Sequence, residues 1–184
     1  MDTESGVSYD TQYTFSPPMA PVDLSKLEKD QDPAWGRIGE MPYAKFRKAT
    51  TKVMFHFPRE GQPARSTADE WLCFSDGSNF TDSSVGFVAD MFPQLVETFR
   101  EKSTGPFWYP TLLLNLDVKK SLPPEGVKWL RVRVEMKKLA KGRMDLEVFV
   151  HDAQGELVAL SHHVGLVVDA SRNTAARRVG DAKM

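Results

Sequence analysis

A single carboxylate stands in the middle of an apolar stretch of the chain. Asp90 follows Phe87 and Val88 and precedes Met91 and Phe92. Burying a charge among such neighbours is costly unless the charge is paired. Asp90 is therefore either a structural carboxylate, bonded to backbone or to a basic side chain, or a group with a chemical task. Because a carboxylate can accept a proton or hydrogen bond from water, Asp90 is a candidate general base.

The segment that carries Asp90, residues 79–100, has helical spacing of apolar residues. Its N-cap candidates are Thr81, Asp82 and Ser83. The segment is apolar nearly all round, and such a helix lies either in a membrane or inside protein. It is shorter than the roughly 20 uninterrupted apolar residues that a bilayer span needs, and it contains Asp90 and Pro93. We therefore predict a long central helix enclosed by a sheet, with Asp90 near its middle.

Six other segments have the composition or alternation of β-strands. They are residues 43–57, 71–74, 111–119, 129–139, 144–150 and 156–168. In 129–139 the apolar side chains of Leu130, Val132, Val134 and Met136 alternate with Arg131, Arg133, Glu135 and Lys137. This alternation predicts antiparallel strands with one buried and one solvated face. The basic side chains, including Lys138, are then expected in solvent.

The two ends of the chain lack this periodicity. Residues 1–40 contain Pro17, Pro18, Pro21 and Pro33 among polar residues, which indicates a Pro-rich linker or extended arm. Residues 170–184 form a polar, basic tail. One domain is expected between them, over residues 41–169.

The composition excludes several classes of protein. The formal net charge of −1 gives no drive towards nucleic acid or an anionic membrane surface. The single cysteine, Cys73, rules out an internal disulfide framework and a Cys-rich metal site. We expect no metal centre and no span of a membrane.

The order of the elements is two early strands, one buried helix and four long antiparallel strands. An antiparallel sheet that encloses one helix belongs to the α+β class. The sequence therefore predicts an α+β hot-dog fold, an antiparallel sheet wrapped around one central helix. A single hot-dog sheet leaves an edge uncovered, so pairing with a second copy is expected.

Three motifs resemble the C-terminal hot-dog domain of the double hot-dog acyl-CoA thioesterases, of the thioesterase II type and its fungal thioesterase-like relatives. They are FVADMFP at 87–93, YPTLLLNLDVKKSLPP at 109–124 and GELVALSHHVGLVV at 155–168. The motifs occur in the order of that family and at roughly its spacing, and the resemblance covers residues 43–168. It implies a hot-dog fold and hydrolysis of an acyl-CoA thioester.

The resemblance also implies a set of site residues. In the family an Asp of the central helix, a Thr or Ser at the start of the next strand and a Gln of the last strand hold the attacking water. These positions fall on Asp90, Thr111 and His163, so a histidine replaces the amide. His162 and His163 face opposite sides of a strand, so only one can point into the site and a His–His metal pair is disfavoured. A histidine would titrate near neutral pH, which a glutamine does not.

Aromatic residues are the candidates for binding the substrate. Phe87, Phe107, Trp108 and Tyr109 would line an acyl pocket, although an aromatic cluster in a β-rich protein is often core or interface. The basic strand face would meet the phosphates of coenzyme A or, alternatively, water alone. No cofactor is implied, because coenzyme A is part of the substrate.

The resemblance lacks one half of the family's architecture. Double hot-dog enzymes have an N-terminal hot-dog domain before the matching one, and their active site lies between the two. Here that place holds only residues 1–40. The chain is thus expected to form a homodimer or to pair with another hot-dog domain; otherwise it is a non-catalytic truncated member. A third hypothesis is a hydratase, dehydratase or isomerase of a biosynthetic pathway in which Asp90 and His163 act as acid and base.

The last three residues, Ala182, Lys183 and Met184, are similar to the peroxisomal Ser-Lys-Leu signal. We therefore expect a peroxisomal location, and a cytoplasmic one if this tripeptide is not recognised.

Overall fold

A computed structural model describes residues 7, 9, 11–39, 44, 47–101 and 104–171. Its α-helices are α1 (Leu24–Leu27) and α2 (Val85–Ala89). Its strands are β1 (Trp35–Arg37), β2 (Val53–Pro58), β3 (Thr67–Phe74), β4 (Phe107–Trp108), β5 (Thr111–Val118), β6 (Leu130–Ala140), β7 (Arg143–His151), β8 (Leu157–Leu166) and β9 (Val168–Asp169). Short 3-10 turns cover Lys48–Lys52, Asp82–Ser84 and Leu95–Thr98.

Seven of these strands form one antiparallel sheet. Its order is β1-β2-β3-β6-β7-β8-β5, and β4 pairs separately with β9. The inner face of this sheet packs against α2 through a core that includes Leu72, Val132, Val148 and Ala159. The predicted α+β architecture, an antiparallel sheet packed on a central helix, is confirmed.

The four long strands begin and end close to their predicted bounds. The early part of the sheet differs more, because Lys48–Lys52 forms a 3-10 turn and β2 begins only at Val53. In contrast, β3 begins at Thr67 rather than at residue 71. Thr67, Asp69 and Glu70 are polar and hide this part of the strand from a search for apolar runs.

The central helix is much shorter than predicted. α2 has five residues and ends at Ala89, with Asp90 as its C-cap. Pro93 explains the stop, because its ring would clash with the carbonyl of residue 89 and it has no N–H to donate. Phe92, which precedes the proline, is also disfavoured in the helical region. The chain resumes a tight turn only at Leu95–Thr98, and the apolar residues in between still pack into the core.

The segment predicted as a linker or arm packs onto the outer face of the sheet. Trp35 lies in β1 and is fully buried, as is Leu27 of α1. These two residues form a second apolar cluster with Trp71, Cys73 and Trp129. The sheet thus begins inside residues 1–40, before the domain start that the sequence suggests.

The expected solvation of the polar face of β6 is wrong for Arg133. This side chain is fully buried, and its Nε and Nη2 donate to the two carboxylate oxygens of Asp69 on β3, each at 2.6 Å. Its Nη1 donates to the carbonyl of Pro17 at 2.7 Å, and the Phe15 ring centroid lies 4.3 Å from its guanidinium carbon. The N-terminal segment therefore covers this face, which the sequence pattern of β6 alone does not reveal.

No helix in the described part of the chain is long and apolar enough to cross a membrane. The tail from residue 172 onward, which includes Ala182, Lys183 and Met184, lies outside the described residues.

Candidate active site

Asp90 is positioned by the termini of α2. At the start of the helical segment, Ser84 Oγ accepts the Thr81 N–H at 2.9 Å, and Asp82 Oδ1 accepts the Leu122 N–H at 2.7 Å. At its end, the Asp90 N–H donates to the carbonyl of Phe87 at 3.2 Å. The Asp90 side chain is 46% exposed, so the expectation of a mid-helix carboxylate in apolar surroundings is wrong. Because the helix stops at Ala89, Asp90 lies at its C-terminal end.

His163 lies on the inner face of β8. It is paired with Leu146 on β7 and with Leu114 on β5, and its side chain is 2% exposed. His162 lies on the opposite face and is exposed, as the alternation of a strand requires. The ring of Phe92 packs edge-on against the His163 ring, with their centroids 5.5 Å apart.

Asp90 and His163 approach each other across the space between helix and sheet. His163 Nδ1 lies 3.9 Å from Asp90 Oδ1, which is longer than a hydrogen bond. His163 Nε2 is buried and has no hydrogen-bond partner in the described structure. The pair thus presents one accessible carboxylate and one unused ring nitrogen.

Burial sets the protonation of this pair. Desolvation, with a smaller contribution from the neighbouring His162, lowers the pKa of His163 to about 4. The expectation that His163 titrates near neutral pH is therefore wrong, and the ring is neutral there. Desolvation raises the pKa of Asp90, an effect that the positive charge of Arg47 opposes.

Thr111 is not joined to this pair. It is exposed at the start of β5, opposite Gly165 on β8, and a bulge separates it from Leu113. The hydrogen bonds of the described residues include none between its hydroxyl and Asp90 or His163. The structure thus brings together two of the three residues that the resemblance implies.

The four predicted substrate-binding aromatics are half-buried. Phe87 stacks on Phe74, with ring centroids 6.2 Å apart. Phe107 packs edge-on against Tyr109 at 6.3 Å, and the Tyr109 hydroxyl bonds to Glu97. Trp108 pairs with Val168 in the small β4–β9 sheet. Phe87, Phe107 and Tyr109 border the main core, so these residues have a packing role in addition to any contact with substrate.

The sequence analysis did not include three neighbours of Asp90 and His163 among the site residues. Phe92 contacts the His163 ring, Leu114 is its partner on β5, and Arg47 acts on the charge of Asp90. Phe92 belongs to the FVADMFP motif, so the sequence offered a reason to place it near Asp90. Nothing in the sequence around Arg47 connects it with Asp90.

Within the described ranges there is no group of three or more His, Cys, Asp or Glu side chains arranged to hold a metal ion. The chemistry available to these residues is acid–base chemistry and hydrogen bonding.

The seven-stranded antiparallel sheet packed on a central helix is a hot-dog fold. A hot-dog protein of Alicyclobacillus acidocaldarius superposes with a TM-score of 0.64 at 14% identity, over 88% of this chain and 57% of that one. The BH2602 protein of Bacillus halodurans, crystallised with CoA, gives a TM-score of 0.52 at 19% identity, over 70% of this chain and 82% of that one.

Residues 18–167 match the family model of the acyl-CoA thioesterase C-terminal domain, and the chain belongs to this family. The thioesterase-like protein TwmA of Talaromyces wortmannii is 30% identical over 98% of this chain and 61% of its own length. The chain therefore spans about three fifths of this curated relative. The family match begins at residue 18, in agreement with the packing of Leu27 and Trp35 on the sheet.

Proposed function

We propose that this protein hydrolyses an acyl-CoA thioester, with Asp90 as the base that activates water. The observation that carries the proposal is the approach of Asp90 Oδ1 to His163 Nδ1, at 3.9 Å, at the C-terminal end of the helix. Membership of the acyl-CoA thioesterase C-terminal family supports the reaction class. The hot-dog-like fold of a protein crystallised with CoA supports the ligand.

In the proposed reaction, the Asp90 carboxylate takes a proton from a water molecule while the water oxygen attacks the thioester carbonyl carbon. The carbon–sulfur bond then breaks, the acid is released, and the leaving thiolate recovers the proton from Asp90. The half-exposed position of Asp90 lets water reach it, and its raised pKa makes it a better base than an ordinary aspartate.

Neutral His163 has an orienting role in this proposal. When the ring proton is on Nδ1, His163 donates towards Asp90 and leaves Nε2 as an acceptor for the water or substrate. Closing the gap to hydrogen-bond length needs a movement of about 1 Å, and catalytic hydrogen bonds are often loose before substrate binds. A glutamine amide also offers one donor and one acceptor, which explains how a histidine can take its place.

The test is release of free thiol from a panel of acyl-CoA esters by wild type, Asp90→Asn, His163→Gln and His163→Leu. We expect Asp90→Asn to lose about 100-fold or more in kcat/KM, the range for a positioned general base. His163→Gln should keep most of the activity, whereas His163→Leu, which cannot hydrogen bond, should lose it. Asp90 is half-exposed, so its variant should stay folded.

The pH profile separates hydrolysis from the alternatives. Activity should fall at acidic pH as Asp90 becomes protonated, with a midpoint above the usual aspartate value, and should show no limb from His163 near neutrality. A change in activity near neutral pH that disappears in His163→Gln would instead favour hydratase, dehydratase or isomerase chemistry. Absence of thiol release from every ester by a folded protein would favour a non-catalytic member of the family.

A second hot-dog domain is the partner that we propose, supplied by another copy of this chain. The support is the open edge of the sheet: among the residues that the structure describes, no strand pairs with the outer side of β5. That strand exposes Leu112, Leu113, Leu114 and Val118. Leu114 is the neighbour of His163, so a partner at this edge would also enclose the site.

A further inference from the structure

A second group of unused polar atoms lies on the outer face of the sheet, away from Asp90. Arg131 on β6 stands directly opposite His151 on β7. Facing residues of an antiparallel pair have their Cβ atoms about 5 Å apart, so the guanidinium and the imidazole are within reach of one common ligand. Fully buried nitrogens on both side chains, Nε of Arg131 and Nδ1 of His151, have no hydrogen-bond partner in the described structure.

The charges around Arg131 leave it uncompensated. Lys120 Nζ pairs with Asp152 at 2.6 Å, and Arg133 pairs with Asp69. Both nearby carboxylates are thus held by other cations. The Arg131 side chain has no hydrogen bond or ion pair within the described ranges, although arginine is charged at every ordinary pH. Among Arg131, Arg133 and Lys120, only the Arg131 side chain therefore lacks a carboxylate partner.

His151 adds a donor in a largely closed setting. His151 is only 6% exposed. The Phe15 ring of the N-terminal segment covers the His151 ring, and the two ring centroids lie 5.3 Å apart. Leaving such a buried polar atom without a partner is unfavourable, because the atom has lost its hydrogen bonds to water. A ligand that accepts hydrogen bonds would remove that cost and neutralise Arg131 at the same time.

The adjacent hairpin turn leaves little room beside the guanidinium. A Cβ at Gly155 would lie 3.1 Å from Arg131 Nη2, and Gly155 has a φ of +92°, which favours glycine. The turn therefore holds the guanidinium closely on one side, and His151 borders it on the other.

We propose that Arg131 and His151 form an oxyanion-binding site on the outer face of the sheet, for a phosphate or sulfate group. The planar guanidinium supplies several donors to such a tetrahedral anion, and the imidazole supplies one more. The anion is either free in solution or part of a nucleotide. This site does not depend on the proposed hydrolase activity, and either proposal can fail alone.

Anion binding at this site takes up a proton on His151. In the free protein, burial and the neighbouring Arg131 and Arg133 lower the pKa of His151 to about 4, while Asp152 opposes them. Lys120 and Asp69 are the other charged groups beside this cluster, and each is paired. A bound anion favours the charged ring and raises this pKa, so affinity increases as the pH falls towards 4.

The experiment is titration calorimetry of the full chain with sulfate, at constant ionic strength. Sulfate stays dianionic, so any pH dependence belongs to the protein. We expect one saturable site, weakened at least tenfold by Arg131→Gln and unchanged by Lys138→Gln, which removes an exposed charge from the same strand. His151→Gln should retain binding but lose its pH dependence, and circular dichroism checks that each variant is folded.

A second arm uses adenosine 3′,5′-bisphosphate, the nucleotide portion of coenzyme A. Tighter binding than sulfate, lost in Arg131→Gln, would assign the site to a nucleotide phosphate; equal or weaker binding would assign it to free oxyanions. The proposal is overturned if neither probe binds saturably, or if Arg131→Gln and Lys138→Gln weaken binding equally.

Discussion

At the scale of single residues, burial rather than residue type decides what the ionisable groups of this protein can do. His163 and His151 are both neutral at physiological pH because desolvation lowers each pKa to about 4. Asp90 has the opposite shift, and its half-exposed position keeps it accessible to water. The division of roles that we propose, with Asp90 as base and His163 as a neutral hydrogen-bonding partner, follows from these surroundings.

Glu70 is a residue that neither proposal uses, and its burial predicts a gain in stability on its removal. It is fully buried on β3, both carboxylate oxygens lack partners in the described structure, and burial raises its pKa well above the usual range. Glu70→Leu should raise the free energy of unfolding by about 1–3 kcal/mol at neutral pH, because it removes a buried polar group that has no hydrogen-bond partner.

The sign of the pH dependence checks this explanation. Glu70 stays protonated in the native state but ionises in the unfolded chain above about pH 4.3, so wild type loses stability as the pH rises past that value. Urea unfolding should show that the advantage of Glu70→Leu grows from about pH 4 to pH 8. The exposed Glu125→Leu serves as the control. An advantage that is constant with pH would mean that packing, not charge, is responsible.

At the scale of elements, two short segments have effects beyond their length. Pro93 stops α2 after five residues and so places Asp90 at the C-terminal end of the helix rather than in its middle. The N-terminal segment covers the outer face of β6 and β7, where Phe15 contacts Arg133, Phe149 and His151. It converts what would be a solvated polar face into a second packed layer.

The contribution of this N-terminal layer is measurable at Phe15. Phe15→Ala removes three edge-on ring contacts, with Tyr13, Phe149 and His151, and the cover over Arg133. The free energy of unfolding should therefore fall by about 1–3 kcal/mol. Tyr9→Ala provides the matched control, because Tyr9 is 86% exposed. Equal stability of the two variants in urea titrations would show that the segment does not stabilise the sheet.

At the scale of the whole molecule, the sheet ends in an apolar edge. β5 has exposed side chains along its length, including Leu112 at 63% and Leu113 at 49%. Exposed edge strands are templates for pairing with another chain unless charges or a covering element protect them. In the described structure no element covers β5, and its one charged residue, Asp117, lies near the end of the strand and pairs with Lys119. The uncovered leucines are the basis of the proposed pairing with a second hot-dog domain.

This pairing predicts a dimer that charged residues on β5 would dissociate. The double variant Leu112→Lys, Leu113→Lys should shift the mass from dimer to monomer in light scattering at micromolar concentration, because each lysine would be desolvated in the interface. Leu139→Lys, at the far end of β6, changes a leucine that is 38% exposed but lies away from this edge, and it should leave the mass unaltered. A monomeric wild type would exclude self-pairing. If such a monomer still released thiol from acyl-CoA esters, one hot-dog domain would suffice for the reaction.

The sequence by itself determined most of the sheet and singled out the two residues, Asp90 and His163, that we propose for the site. Strand alternation has a period of two, which directly records the buried and exposed faces of an antiparallel sheet, so β5 to β8 were predictable. Asp90 and His163 could be singled out because each lies within a motif that resembles the family, FVADMFP and GELVALSHHVGLVV. Their proximity was a matter of tertiary structure, since it depends on how α2 packs across β8. The same holds for the pKa of His163 and for the burial of Arg133 beneath Phe15, because burial depends on residues that are distant in the chain and that no local pattern records.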